Sequence, residues 1–368
     1  MAIWLAEPSR FAALSKGRAR VGLALLLVLL AATLSALLVP QPAPVSGDPA
    51  KRGDDQTDVV LYETIVDGVR HGGNYYEVAA QELRAGDYPM KPFVTFRLPT
   101  LAMVQALMPA WAVIGLLYAL AAGVILAWFV RLRPAFARPP PLIVAMVLLA
   151  GGMGAFVQSD LAAFHEVWAG LLIALSLALR RPGGWVAAAG IGALAMLIRE
   201  TAALYVAIMV LLAILEGERK EAAGWTAGVA LLAIAVLAHA HAVAQVVRPF
   251  DPASPGWAGM LGFGFFVEAM TLSTALRLAP LWLAALLMGF TLFGWAAWRD
   301  GTGIRAFATF CIYAVLISLF GRVDTFYWGL MVAPAILIGL AFVPDGLKDL
   351  IAAAFPKRRK ITVTRITP

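Results

Sequence analysis

The feature that most constrains this chain is the recurrence of long, unbroken apolar blocks. The first, VGLALLLVLLAATLSALLV (21–39), carries no ionisable side chain. Others follow at about 109–130, 141–157, 224–247, 280–298, 306–320 and 326–343, and three more lie between HEVW and LEGERKE (165–221). Crossing the hydrocarbon core of a bilayer takes about 20 apolar residues. Repeated blocks near that length exclude an ordinary soluble core and call for helices that satisfy their own backbones. Composition agrees, with 61% apolar and 14% charged residues, against about 45–50% and about 25% in soluble domains. The reading is an all-α polytopic membrane protein, a single domain over 21–344 with roughly ten transmembrane helices. The short fifth block, WVAAAGIGALAMLI, is the one most open to miscounting.

In a soluble chain the net charge of +7 would suggest nucleic acid. Here the basic residues gather beside the apolar blocks: SKGRAR before the first, then RLR, RR, ERK, WRD with a following Arg, and KRRK at alternate connections. That is the positive-inside pattern. It predicts no nucleic-acid partner, an N-terminal segment (1–20) and a tail (345–368) in the cytoplasm, and outward-facing connections at 40–108 and about 248–279. The first block reads as a retained anchor, because its apolar run is long for a signal peptide and VPQPAPV is a poor cleavage site. The single cysteine, Cys311, excludes an intrachain disulfide.

The connection at 40–108 is unusually polar and contains QTDVVLYETIVDGVRHGGNYYEVAAQELRAG (56–86). Asp58, Tyr62, Ile65 and Val69 recur at helical spacing, which stacks a carboxylate and a phenol on one face. HisGlyGlyAsn (71–74) breaks that helix, and a second one follows with Tyr76, Ala80 and Leu83 on one side. RLPTLAMVQALM (97–108) reads as an amphipathic helix at the membrane surface. Other outward ends are also charged: Asp160, His165 and Glu166; Arg199 and Glu200; Arg322 and Asp324, followed by Tyr327. Each such charge taken singly is an ordinary helix-end marker. Together they suit a cavity that handles an anionic, membrane-soluble substrate. A carboxylate there accepts a proton as general base, guanidinium groups hold phosphate oxygens, and aromatic rings stack on a sugar. His239 and His241 stand at i,i+2 and point to different faces, a poor metal pair. No HExxH, Walker lysine, GxGxxG or GxSxG stands in a supporting context.

Several stretches resemble the GT-C superfamily of integral membrane glycosyltransferases. DxxLYxxIVxxV (58–69), GNYYxxAxxxLR (73–84), YPxKP (88–92), RLPTL (97–101), HEVWAGLLIALSLALRR (165–181) and IRE (198–200) are similar to small bacterial members of the dolichyl-phosphate-mannose mannosyltransferase-like group. The resemblance covers 21 to about 215; beyond that it is one of topology, with GRVDTFYWGLMVAP (321–334) in the character of a late family helix. It implies a GT-C-like bundle in the bacterial inner membrane, with its active site facing the periplasm. It also implies a polyprenyl-phosphate sugar donor and inverting transfer. On this resemblance Asp58 is the general base, with Asp55 its nearest rival and Asp54 a third candidate. Lys91, Arg97, Arg199 and Arg322 are the donor-phosphate contacts, and Tyr62, Tyr75, Tyr76, Asp160, His165, Glu166 and Tyr327 contact sugar or acceptor. The family contains members with and without a divalent metal, so no cofactor is assigned and the metal stays open. Because the chain ends soon after the tenth block, the acceptor is expected to be a lipid or small glycan, with membrane lipids and an envelope protein as further partners. The rival readings are a transporter or flippase of a lipid-linked or anionic solute, and a non-catalytic envelope scaffold. Charges at helix ends rather than mid-helix favour the enzyme.

Overall fold

The computed structural model describes residues 3–40 and 57–356. Among these the regular structure is helical: α1 (Lys16–Thr33), α2 (Thr57–Arg70), α3 (Tyr75–Ala85), α4 (Thr100–Leu107), α5 (Ala110–Leu132), α6 (Pro139–Gly152), α7 (His165–Leu179), α8 (Val186–Ile198), α9 (Ala203–Leu215), α10 (Arg219–Val246), α11 (Gly262–Ser273), α12 (Leu281–Ala297), α13 (Gly301–Phe320), α14 (Ala333–Ile336) and α15 (Val343–Ala354), joined by short 3₁₀ turns.

Each apolar block of the sequence is helical, and the blocks differ in length. Four helices reach spanning length (Lys16–Leu38, Ala110–Ala135, Arg219–Val246 and Gly301–Phe320), or five if the pair Val323–Met331 and Ala333–Ala354, bent by 62°, is one span. The other blocks form the shorter helices α6, α7, α8, α9 and α12. At about 1.5 Å per residue, a helix such as α8, with 13 residues, falls well short of the roughly 30 Å hydrocarbon core. An apolar run reports an apolar environment, and protein neighbours provide one as well as lipid does. Thus α7 is buried over nearly its whole circumference, packed by α5, α8 and the Val323–Met331 segment, as a helix apolar all round must be. On α1, by contrast, Leu25, Leu27 and Val28 are exposed, and on α10 Ile234 and Leu237 are. These are the lipid-facing surfaces of a multi-pass membrane bundle.

The segment 57–86 forms the paired helices read from its spacing. Gly72 ends α2 with φ at +91°, a conformation that favours glycine, and the Asn74 side chain accepts from the backbone N–H of Tyr76 and Glu77 to start α3. The two helices close a small core of Leu61, Ile65, Tyr75, Ala79, Leu83, Met90 and Phe96 against Val243 of α10. The region read as a second outer loop, 248–279, differs: it contains α11, most of which is buried against α13 and Val323–Met331.

At the opposite end, Arg180 donates to Glu221 through Nε at 2.9 Å and Nη2 at 2.7 Å, and Arg305 donates to Glu216 through Nη1 at 2.9 Å. The Trp225 indole also donates to Glu221, at 3.2 Å. This network ties the end of α7 to the α9–α10 turn and the start of α13. Arg180 and Glu221 are both buried, so losing Glu221 leaves Arg180 only its longer bond to Glu216 at 3.3 Å, a loss toward the lower part of about 3–5 kcal/mol. Glu221→Ala is therefore expected to lower the thermal unfolding midpoint of the purified protein by several degrees, whereas Arg219→Ala, an exposed neighbour, leaves it in place.

Candidate functional site

Tyr62, one turn after Asp58 on α2, packs its ring edge-on to His165 at 5.0 Å between centroids and to Phe164 at 6.0 Å. Arg97, in the segment leading to α4, donates through Nε to the Tyr62 oxygen at 3.0 Å. The Tyr75 hydroxyl donates to the Arg97 carbonyl at 2.7 Å, fixing that segment against α3. Burial pushes the Tyr62 phenol above its ordinary value, against the lowering effect of the Arg97 charge, and burial pushes the Tyr75 phenol up as well. Both are neutral hydroxyls at pH 7.

Behind Tyr62 lies a buried ion cluster. Glu166, with no exposed surface, accepts from Arg199 Nε at 2.7 Å and stands 3.7 Å from Arg97 Nη2. Arg199 also reaches Glu200 at 3.0 Å. Glu166 Oε2 and both ring nitrogens of His165 have no hydrogen-bond partner among the described residues. The apolar bundle thus carries a carboxylate and two guanidinium groups to within one side chain of the α2 face.

That face opens on a cavity of about 200 Å³ lined by Asp58, Tyr62, Tyr75, Arg97, Arg322 and Tyr327. Six residues singled out from sequence therefore share one cavity. Arg322 holds Asp324 through two hydrogen bonds, at 3.2 and 2.9 Å, and keeps an exposed flank. Tyr327 packs edge-on to Phe164 at 5.1 Å. His165, Glu166 and Arg199 form the layer behind.

Three expected site residues stand elsewhere. Lys91 donates to the carbonyl of Pro249 at 2.7 Å and does not line the cavity, because its loop pairs with 249–254. Tyr76 turns to the other side of α3, its hydroxyl 3.2 Å from His239 Nδ1. Asp160 is exposed, 3.2 Å from the Ser159 hydroxyl. Asp54 and Asp55 lie outside the described residues. Among the described residues no group of three or more His, Cys, Asp or Glu side chains is arranged to hold a metal ion.

The cavity also has a wall that sequence reasoning missed. Ser254 and Trp257 line it, from a segment read only as an outward connection. The aromatic in SPGW was its one visible signal. The wall is latched to the first outer loop: Met90 N–H donates to the Pro252 carbonyl at 2.8 Å, Ser254 N–H to the Lys91 carbonyl at 2.7 Å, and Arg84 grips Asp251 at 2.8 and 2.7 Å. The Arg84 guanidinium and the Arg248 N–H hold the Asp251 carboxyl well below the usual carboxylate range. A depressed folded-state value means that the latch contributes its full stabilisation above the unfolded value, about pH 3.9, and loses it as pH falls through the folded one. Asp251→Asn is therefore expected to speed amide hydrogen exchange across 88–92 and 249–257 at pH 7 without changing exchange in α13. Unaltered exchange in both loops would refute the latch.

A scan of the chain against protein-family models finds no match, and neither does comparison with curated proteins or with solved structures.

Proposed function

We propose that the protein is a GT-C-like glycosyltransferase of the bacterial inner membrane, moving a sugar from a polyprenyl-phosphate donor to a lipid or glycan acceptor at the periplasmic face. The observation that carries this reading is the convergence of Asp58, Arg97, Arg322, Tyr62 and Tyr327 on one cavity at the end of an apolar bundle. In this reading the acceptor hydroxyl attacks the anomeric carbon and Asp58 takes its proton. A new carbon–oxygen bond forms as the bond to the phosphate oxygen breaks, with inversion. The polyprenyl phosphate leaves with its charge balanced by Arg97 and Arg322. Tyr62 supplies a neutral hydroxyl beside Arg97, Trp257 and Tyr327 offer faces to the sugar, and the exposed apolar helices meet the membrane lipids and the prenyl chain.

The direct test supplies purified protein in detergent with polyprenyl-phosphate sugars of several sugar types and a membrane-lipid acceptor fraction. Radiolabelled sugar transferred to acceptor supports the reading. Failure of every donor to give either transfer or saturable binding, with folded protein, overturns it.

A further inference from the structure

A second cavity lies at the other end of the bundle. It measures about 490 Å³ and is walled by the strap Leu5–Pro8, by Arg131 and Pro134 at the end of α5, and by the turn Trp298–Asp300 before α13. Helix α5 starts near the Tyr62 end and stops here, while α13 starts here and stops at Arg322. The 20 residues of α13 span about 30 Å at roughly 1.5 Å each, so the two cavities are separated by the thickness of a membrane core.

The strap is built into the fold. The buried Asp345 carboxylate accepts the backbone N–H groups of Ile3, Trp4 and Leu5 at 2.5, 2.7 and 2.9 Å. Ala6 N–H donates to the Ala135 carbonyl and Ala137 N–H to the Trp4 carbonyl, each at 2.9 Å. A wall held by five hydrogen bonds from three elements keeps its shape without a ligand.

The lining carries two guanidinium groups, Arg131 and Arg299, and the first is incompletely used. Arg131 spends Nε on the Ala178 carbonyl at 3.1 Å, while its buried Nη2 has no partner among the described residues. Arg299 stands exposed at the rim. Two carboxylates also line the cavity. Asp300 is engaged as the cap of α13, accepting from Thr302 N–H at 2.7 Å, and Glu7 is exposed to solvent. Buried donors left without acceptors are rare in folded proteins, and guanidinium forks match phosphate oxygens. The volume is that of a small-ligand site, placed where basic pockets meet lipid headgroups.

We propose that this cavity binds a phosphate ester, with Arg131 as its main contact and Arg299 completing the anion site. The ester reaches it either as a phospholipid headgroup from the adjacent leaflet or as a soluble phosphate. This site is independent of the glycosyltransferase reading and stands or falls separately.

The test is a binding titration of the full chain in a non-ionic detergent, with dihexanoyl phosphatidylglycerol and with glycerol 3-phosphate as probes. Saturable binding is expected, weakened at least about tenfold by Arg131→Gln and severalfold by Arg299→Gln, in keeping with the loss of a charge-assisted pair. Arg277→Gln, an exposed charge at the far end, removes the same charge and is expected to leave binding unchanged. Lipid binding about tenfold tighter than glycerol phosphate assigns the headgroup source; equal affinity assigns the soluble one. Since Arg299 is exposed, its variant reads the site even if Arg131→Gln fails to fold. Absence of saturation with both probes, or wild-type affinity in Arg299→Gln together with any folded Arg131→Gln, overturns the proposal.

Discussion

Asp58→Asn is expected to lower sugar transfer by about 10²–10⁴-fold, the usual contribution of a general base, while leaving the protein folded. Asn is isosteric with Asp and removes only the basic oxygen. Asp58 is half-buried in the first turn of α2, where Asn is also tolerated. Its neighbours Tyr62 and Arg97 hold each other and do not depend on it for position. The measurement is initial transfer rate from a supplied polyprenyl-phosphate donor, alongside the thermal unfolding midpoint. Loss of rate with an unchanged midpoint and unchanged donor binding assigns the proton transfer to Asp58. Full transfer by Asp58→Asn, with loss in Asp55→Asn instead, moves the base upstream and sinks the assignment.

The second large effect is expected at Glu166. Glu166→Gln keeps the side-chain shape but strips the negative charge from a fully buried side chain that holds Arg199 at 2.7 Å and Arg97 at 3.7 Å. Breaking one partner out of a buried ion pair costs about 3–5 kcal/mol. The lower part of that range is expected here, because Glu200 remains 3.0 Å from Arg199 and still balances it. Among the described residues Arg97 forms no ion pair with a second acid, and its other side-chain partner is the neutral Tyr62. Its guanidinium therefore loses the charge that orients it toward the cavity, and donor affinity is expected to fall together with stability. Chemical or thermal unfolding in detergent and donor titration read the two effects. A midpoint within about 2 °C of the parent, where about 3 kcal/mol predicts a larger shift, would show that the cluster is not under the load its burial implies.

The parts of the site that were legible in sequence are those joined by short-range geometry. Asp58 and Tyr62 stand one helical turn apart, so helix period alone puts them on one face. HisGlyGlyAsn had to interrupt the helix because Gly72 adopts a left-handed φ that other residues avoid. Arg322 and Tyr327 stand at a charged and aromatic helix end and join the cavity, as does Arg97, which the resemblance marks as a phosphate contact. Lys91 is marked by the same resemblance and does not join, because backbone pairing of its loop with 249–254 turns its side chain to the Pro249 carbonyl. Nothing local to YPMKP distinguishes those outcomes. Trp257 was passed over for the complementary reason: its segment is remote in sequence, and only the Arg84–Asp251 latch brings it over the cavity.

The sequence by itself determined the solvent this chain is built for, the helical state of every apolar block, and the two-helix outer segment with its break. These follow from composition and from periods of a few residues, which each segment carries without reference to the others. Tertiary structure alone decided which apolar blocks are covered by protein, as α7 is, and which keep exposed apolar faces, as α1 does. It alone decided which charged ends meet, and it alone made the second cavity, whose walls come from residues 5–8, 131–135 and 298–300. Contacts across such separations depend on packing angles and loop pairing summed over the whole bundle, and no short window of sequence encodes them.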